Sequence, residues 1–297
     1  MDLLKTGKMK NILESSFEEY WIRIFNIVED QQVCGKVIKK NNDNEIKELK
    51  AKIKIWEKNI ITYCEELKPF FQLDLFDEDD DERYEYQEFK DNIFAERLWT
   101  VKSALKNAAF DLELRKYREQ FLKTTAADIF VTVRNILKST IVYVNNIAKD
   151  INYNRVGTIE QLKVDYLNED AMLLAGVIGL GIRSEMLHRL YPGNFSIMTR
   201  RSLWGMYFLS EKQEEFITDE QSDDGRKQRT SHNWEYEYDR FLLYNNFIAN
   251  LFEGKLIKYG IKMKGNLRFG YVNMFLNDIA RFHKDEIAAL YQWEFEV

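Results

Sequence analysis

Apolar residues recur at helical spacing from about residue 84 to residue 122. Side chains three and four positions apart share one face of a helix, and the apolar residues that follow this spacing are Phe94, Leu98, Val101, Leu105, Ala108 and Leu112. At ~1.5 Å per residue, a continuous helix here would reach ~55 Å. The pattern predicts one long helix, which serves either as the spine of a bundle or as the seam of a homodimer or of a complex with a protein partner.

The rest of the first half carries signals for further helices and few signals that would break them. Glycine is absent from residues 36–156, and proline occurs there once, at Pro69. Polar residues at 41–44 predict the start of a helix that ends near Pro69, and the threonine pair at 124–125 predicts the start of another. We therefore expect an N-terminal helical bundle over residues 1–152.

Glycine becomes frequent after residue 152, which predicts a domain boundary there and a C-terminal region over residues 153–297. Residues 210–233 carry charges of both signs with few apolar side chains and predict an exposed loop. The Tyr191–Asn194 segment, which includes a proline and a glycine, predicts a turn. The helices predicted in this region are Thr158–Leu167, Glu169–Leu190, Thr199–Leu209, Trp234–Phe252 and Asn273–Trp293.

Residues 255–272 show the alternation of apolar and polar positions that is typical of β-strands. A three-residue loop at Lys264–Asn266 would pair the two strands with their apolar side chains on one face. Lys262 and Arg268 would then point in the same direction. The sequence thus predicts a mainly α fold, a helical bundle with one long helix followed by a C-terminal helical region that contains a small β-hairpin.

Composition excludes several classes of protein. Of the 297 residues 45% are hydrophobic, enough for a sizeable core, whereas 13 glycines and 2 prolines are too few for a collagen or a turn-rich β-sandwich. The longest nearly apolar stretch, residues 171–182, is shorter than the ~20 residues of a membrane span, so we expect a cytoplasmic protein without a membrane partner. Two cysteines and three histidines show no zinc-site spacing and no nucleotide-binding glycine motif is present, so we expect neither a metal nor a cofactor.

The total charge of −6 is unevenly distributed along the chain. Residues 74–91 contain ten acidic side chains against Arg83 and Lys90, a local charge of −8. The simpler interpretation is a solvated loop between two helices, held extended by charge repulsion. The alternative is a tract that gathers metal ions or mimics nucleic acid and covers a basic surface until a partner displaces it.

Basic residues gather in the second half of the chain. Residues 255–268 contain five lysines and arginines and no acid, and a further arginine pair starts a predicted helix. Clustered cations bind polyanions by neutralising phosphates and releasing counterions, although lysines also protect exposed sheet edges from aggregation. The predicted surface for RNA, DNA or another polyanion consists of Arg200, Arg201, Lys258, Lys262, Lys264 and Arg268.

The segment Arg183–His188 places an arginine and a histidine five positions apart near the end of a predicted helix. It resembles the R-x(4–6)-H motif of HEPN ribonucleases, a family of small helical bundles that cleave RNA without metal, often across a dimer, in toxin–antitoxin and antiviral systems. The resemblance implies that Arg183 holds the phosphate and that His188 serves as acid or base. The alternative is structural: His188 packs beneath the following turn, and Arg183 pairs with an acid such as Glu185 or Asp170.

Three functional hypotheses follow from the sequence. The first is an intracellular binding protein that associates with itself or with a protein partner and contacts nucleic acid through the C-terminal basic residues. The second is a metal-independent ribonuclease of the HEPN type in a toxin or antiviral defence system. The third is a purely structural interaction protein, which neither binds nor cleaves nucleic acid.

Overall fold

The structure, a computed structural model, describes residues 8–27, 32–33, 36–37, 43–76, 83–109, 111–213, 218–221, 227–230 and 237–292. Within this part of the chain the fold is mainly helical, as the sequence predicts. The α-helices are α1 (Lys8–Phe25), α2 (Asp43–Glu65), α3 (Arg83–Glu88), α4 (Ala95–Arg97), α5 (Trp99–Asn107), α6 (Leu112–Lys123), α7 (Ala126–Asn146), α8 (Leu180–Leu190), α9 (Arg200–Leu209), α10 (Tyr238–Lys258), α11 (Arg268–Phe282) and α12 (Lys284–Gln292).

Shorter elements connect these helices. A π-helical turn, Phe89–Phe94, lies between α3 and α4. Within the described ranges, β1 (Gln32–Val33) pairs antiparallel with β2 (Lys36–Val37), and β3 (Thr218–Gln221) pairs antiparallel with β4 (Lys227–Thr230). The 3₁₀ turns are Lys68–Phe70, Leu73–Phe76, Ala148–Asp150, Tyr153–Arg155, Ile159–Gln161, Asp165–Asn168, Asp170–Met172 and Gly265–Leu267.

The chain divides into two compact units. The first unit consists of Met1–Ile61, Arg200–His232 and Tyr244–Val297, and the second of Thr62–Thr199 and Asn233–Leu243. Each unit therefore combines segments from both sides of residue 152. The domain boundary predicted at residue 152 was inferred from the glycine content along the chain, and it stays a prediction.

The first unit is built around an aromatic core. Phe17 and Trp21 lie one turn apart on α1 and are fully buried, as helical spacing requires of a core-facing stripe. The Phe17 ring packs 4.9 Å from Phe275 of α11, and the Trp21 ring packs 5.2 Å from Phe252 of α10. These ring contacts hold α1, α10 and α11 together.

Two glycines allow helices of the first unit to approach closely. A Cβ atom on Gly205 of α9 would lie 2.4 Å from the backbone oxygen of Leu276 in α11. A Cβ atom on Gly270 of α11 would lie 2.7 Å from a methyl carbon of Ile60 in α2. Real Cβ atoms do not reach such distances. At Gly205 the obstacle is the α11 backbone, and at Gly270 the Ile60 side chain would have to move, so glycine at both positions allows α11 to pack this closely.

The second unit has its own aromatic core beside α7. Thr125 caps α7, because its side-chain oxygen accepts a hydrogen bond from the Asp128 amide at 3.1 Å. Phe130 on the first turns of α7 packs 4.7 Å from Phe76 and 5.4 Å from Phe89. The start of α7 predicted from the threonine pair is therefore confirmed, as are the start of α2 near residue 43 and the turn at Tyr191–Asn194.

The predicted long helix is wrong. Leu98 adopts an extended conformation between α4 and α5, and a second break separates α5 from α6. The first break has a tertiary cause, because the buried Glu185 carboxylate accepts hydrogen bonds from the amides of Trp99 and Thr100 at 2.7 and 2.8 Å and starts a new helix there. Leu112, at the end of the predicted seam, is 59% exposed. The helix that was expected to form a dimer seam is thus not continuous.

The predicted β-hairpin is also wrong. Helix α10 ends at Lys258, and two residues later Gly260 has a φ of +66°, which allows a left-handed cap. The Ile261 amide then donates to the Leu256 carbonyl at 2.9 Å, and α11 begins at Arg268. The apolar residues that alternate in the sequence lie on these two helices and on the segment that connects them. The Tyr259 ring, for example, stacks with its centroid 6.3 Å from that of Trp21.

Other boundaries differ from the predictions. The helix predicted over 169–190 is shortened to α8, because residues 174–178 form a bridged turn in which Gly176 has a φ of +72°. The predicted 158–167 helix consists of separate 3₁₀ turns. Within the predicted loop at 210–233, residues 214–217, 222–226 and 231–233 lie outside the described residues, as do residues 77–82 of the acidic segment. The described part of that loop includes the antiparallel pair of β3 and β4.

The close approach of α9 and α11 predicts that a side chain at Gly205 lowers the free energy of unfolding. Gly205→Ala forces a Cβ atom into the α11 backbone and should lower the free energy of unfolding by ~2 kcal/mol or more. Gly254→Ala is the matched control, since a Cβ atom there meets nothing within 4 Å in α10 and alanine is the better helix former by ~0.5–1 kcal/mol. Urea unfolding followed by circular dichroism measures both. Equal stabilities for the two variants would contradict the packing.

Candidate nucleic-acid interface

The Arg183 and His188 side chains both lie inside the second unit. Arg183 is 3% exposed and His188 is 1% exposed. The Nδ1–H of His188 donates to the Phe195 carbonyl at 2.8 Å, since a carbonyl oxygen only accepts. Arg183 donates from Nη1 to the carbonyl oxygen of Leu167. Burial lowers the pKa of Arg183 to about 10 and that of His188 to about 4.

Glu185, between these two residues, belongs to a different buried cluster. Its carboxylate accepts from the Tyr63 hydroxyl at 3.1 Å and pairs with Arg189 at 3.4 Å, in addition to its two bonds at the start of α5. Arg189 also donates to the carbonyls of Tyr63 and Arg97 at 2.9 and 2.7 Å. Arg183 and His188 thus bind the backbone carbonyls of Leu167 and Phe195, and neither side chain is exposed in this structure. The ribonuclease hypothesis stays a prediction.

Arg268 of the predicted basic surface is a core residue. It is 5% exposed, and its guanidinium donates to the side-chain oxygens of Asn246 at 3.2 Å, Asn250, and Glu253 at 3.5 Å. These partners all lie on α10, so Arg268 fastens the start of α11 to that helix. Its assignment to a polyanion surface is corrected, because its hydrogen-bonding groups face α10 and not solvent.

The other predicted cations of the first unit are at its surface. Lys258, Lys262 and Arg201 are exposed, and Arg200 is partly exposed. Lys264 is half exposed and pairs with the Glu57 carboxylate of α2 at 2.5 Å. That carboxylate also accepts from the Tyr271 hydroxyl at 2.7 Å. Lys264 is therefore placed directly beside α2.

Helix α2 carries a row of lysines that the sequence interpretation missed. These residues, named here the lysine stripe, are Lys47, Lys50, Lys54 and Lys58. All four are exposed, and no carboxylate among the described residues lies within ion-pair distance of any of them. At ~100° per residue they fall within an arc of ~80°, and at ~1.5 Å per residue they span ~16 Å of the helix. The signal was readable from the spacing of three, four and four in a segment already predicted to be helical.

The lysine stripe has different neighbours on its two sides. On one side lies Glu57, whose charge is compensated by Lys264. On the other side, Ala51, Ile55 and Asn59 follow one another at intervals of four and line a groove of about 500 Å³ between α2 and α11. A cationic row thus runs along an apolar groove, with Lys264 on the opposite flank.

Burial of His188 predicts a pH-dependent stability. Its pKa of about 4 in the fold lies below the ordinary value of 6.5, so the unfolded chain binds more protons between these values. The His188 contribution is therefore fully present above pH ~6.5 and is lost as the pH falls towards 4; the loss is ~2 kcal/mol between pH 7.5 and pH 5. Urea unfolding at both pH values measures it.

His188→Gln keeps an N–H donor for the Phe195 carbonyl but does not titrate, so its free energy of unfolding should fall less than that of the unmodified chain over this range. Gly254→Ala, which changes no titratable group and places a Cβ atom in open space in the first unit, is the control and should retain the full pH dependence. If His188→Gln and the unmodified chain lose the same stability, the buried histidine is not the cause.

Comparison with protein-family models, curated proteins and solved structures gives no match for this chain. Among the described residues, no group of three or more histidine, cysteine and acidic side chains could hold a metal ion. None of the described helices has the length and apolarity to cross a membrane.

Proposed function

We propose that the protein binds a nucleic acid through its phosphate backbone, on the face of the first unit formed by the lysine stripe and Lys264. The observation that carries the proposal is the row of four exposed lysines without an ion-pair partner among the described residues. Clustered lysines attract phosphates and gain free energy from the counterions that both surfaces release. This keeps the polyanion-binding hypothesis and moves it to α2.

The spacing of the stripe has a cost for the isolated fold. Lys50 and Lys54, and likewise Lys54 and Lys58, are like charges four positions apart on one helix. Each such pair disfavours the helix by ~0.2–0.5 kcal/mol. Acidic side chains three or four positions away relieve such repulsion on a solvated face. The acid at this spacing here, Glu57, pairs with Lys264, so an external anion would relieve the repulsion of the stripe. The arrangement therefore favours a phosphate-binding role over that of an ordinary solvated face.

The overall charge of −6 does not oppose local binding. At physiological salt, charges separated by more than ~8 Å are largely screened. A phosphate on the stripe is therefore governed by the nearest side chains, where the Glu57 charge is already compensated by Lys264. A row of cations on an acidic protein predicts moderate affinity that falls steeply as salt is added.

A charge-reversal variant tests the proposal. Lys50→Glu combined with Lys54→Glu should weaken binding of a labelled RNA or DNA oligonucleotide at least tenfold at 50 mM KCl. The slope of log affinity against log salt concentration should decrease in magnitude by about 1.4 for a single strand, since each lost phosphate contact contributes ~0.7. Fluorescence anisotropy over a KCl series measures both quantities.

Lys106→Glu combined with Lys123→Glu is the matched control. These two lysines are exposed on helices of the second unit, and the double variant has the same net charge as the stripe variant. It should keep the affinity and salt slope of the unmodified chain, apart from a small uniform effect of net charge. Equal losses in both variants would show that total charge and not the stripe governs binding.

A further inference from the structure

The groove beside the lysine stripe has an apolar lining and an open side. Ala51, Ile55 and Trp56 of α2 and Met274 of α11 contribute its apolar surface, and its volume is about 500 Å³. Ile55 is 58% exposed, so it adds apolar surface to the open side of the groove. The groove therefore offers apolar surface that a ligand could remove from water.

Three charged residues that line the groove, Lys52 of α2 with Asp278 and Arg281 of α11, form ion pairs with one another. Asp278 pairs with Lys52 at 3.6 Å and with Arg281 at 3.0 Å. Glu48 lies at one end of the α2 wall and Asn59 at the other, ~16 Å away along the helix. The amide of Asn59 can both donate and accept hydrogen bonds, as nucleobase edges require. The groove is accordingly neutral in total, since Lys52 and Arg281 balance Asp278 and Glu48, and it has a polar group suited to bases at one end.

The groove and the lysine stripe share one helix at a fixed angular offset. Counting ~100° per residue, Ile55 lies ~60° around α2 from Lys58 and ~100° from Lys54. The two features therefore run side by side along the same ~16 Å of helix. A phosphate backbone held by the stripe would place its bases on one flank, where they reach the groove only if they are unpaired.

We propose that the ligand of this face is single-stranded nucleic acid, with its phosphates on the lysine stripe and its bases against Ile55 and the groove. This inference rests on the proposed function and adds the substrate class to it. A duplex keeps its bases stacked and paired inside, so it could use the stripe alone. Single-strand binding proteins commonly join a cationic track to aromatic side chains on which unstacked bases stack; here the exposed base-facing side chain is the aliphatic Ile55.

The test compares three probes of equal length on the full chain: a mixed-sequence single strand, the corresponding duplex, and an abasic single strand that carries only the sugar–phosphate backbone. At 100 mM KCl we expect the single strand to bind at least tenfold more tightly than the abasic strand and more tightly than the duplex. Ile55→Ala should weaken single-strand binding about threefold to tenfold, because it removes apolar surface from the base contact. It should leave abasic binding unchanged.

Ile257→Ala is the matched control, since Ile257 is 65% exposed on α10 of the same unit and lies outside the groove. It should not change the affinity for any probe. Similar affinities for all three probes, or equal losses in the two isoleucine variants, would overturn the groove assignment and leave phosphate binding standing. Absence of binding to every probe at low salt would overturn both proposals. Salt-independent dimers that Ile55→Ala dissociates, without any preference for single strands, would assign the groove to a second copy of the chain instead.

Discussion

The contact between α2 and α11 is the constraint on which the candidate site depends. Gly270 brings the two helices together because any side chain there would collide with Ile60. Nearby, Glu57 accepts a hydrogen bond from Tyr271 and pairs with Lys264, so one carboxylate joins α2 to the start of α11 and to the turn before it. The lysine stripe, its neighbouring cation and the groove all take their positions from this contact.

Buried charges in both units connect elements of the fold to one another. In the second unit Glu185 satisfies the first amides of α5 and is balanced by Arg189. In the first unit Arg268 is held by three side-chain oxygens of α10. A buried charge is costly unless it is paired and hydrogen-bonded, and these groups meet that condition within the fold. Surface lysines without partners in the described part of the chain are the cations that remain for an external anion.

The distribution of charge, rather than its total, connects the fold to the proposed function. The ion pair with Glu57 weakens the attraction of Lys264 for a distant anion. The same pair neutralises the carboxylate that would otherwise repel a phosphate beside the stripe. In the proposed complex, the neutral groove on the other flank supplies what a simple cationic face lacks, a surface that distinguishes unpaired bases from paired ones. Phosphate affinity and base contact are thus assigned to adjacent sides of one helix.

The sequence by itself determined the elements whose signals are local. The helical class, the start of α7 at its threonine cap and the position of α2 follow from periodicity and capping, which act over a few residues. The spacing of the lysine stripe is equally local, and it becomes readable as soon as α2 is predicted. The long helix and the hairpin failed because their alternatives depend on distant groups, Glu185 for the break at Leu98 and the aromatic core for Tyr259. Only the tertiary structure decided which cations are neutralised, since the partners of Arg268 and Lys264 lie 15 or more positions away along the chain, and hydrogen bonds between such residues form only when the helices pack.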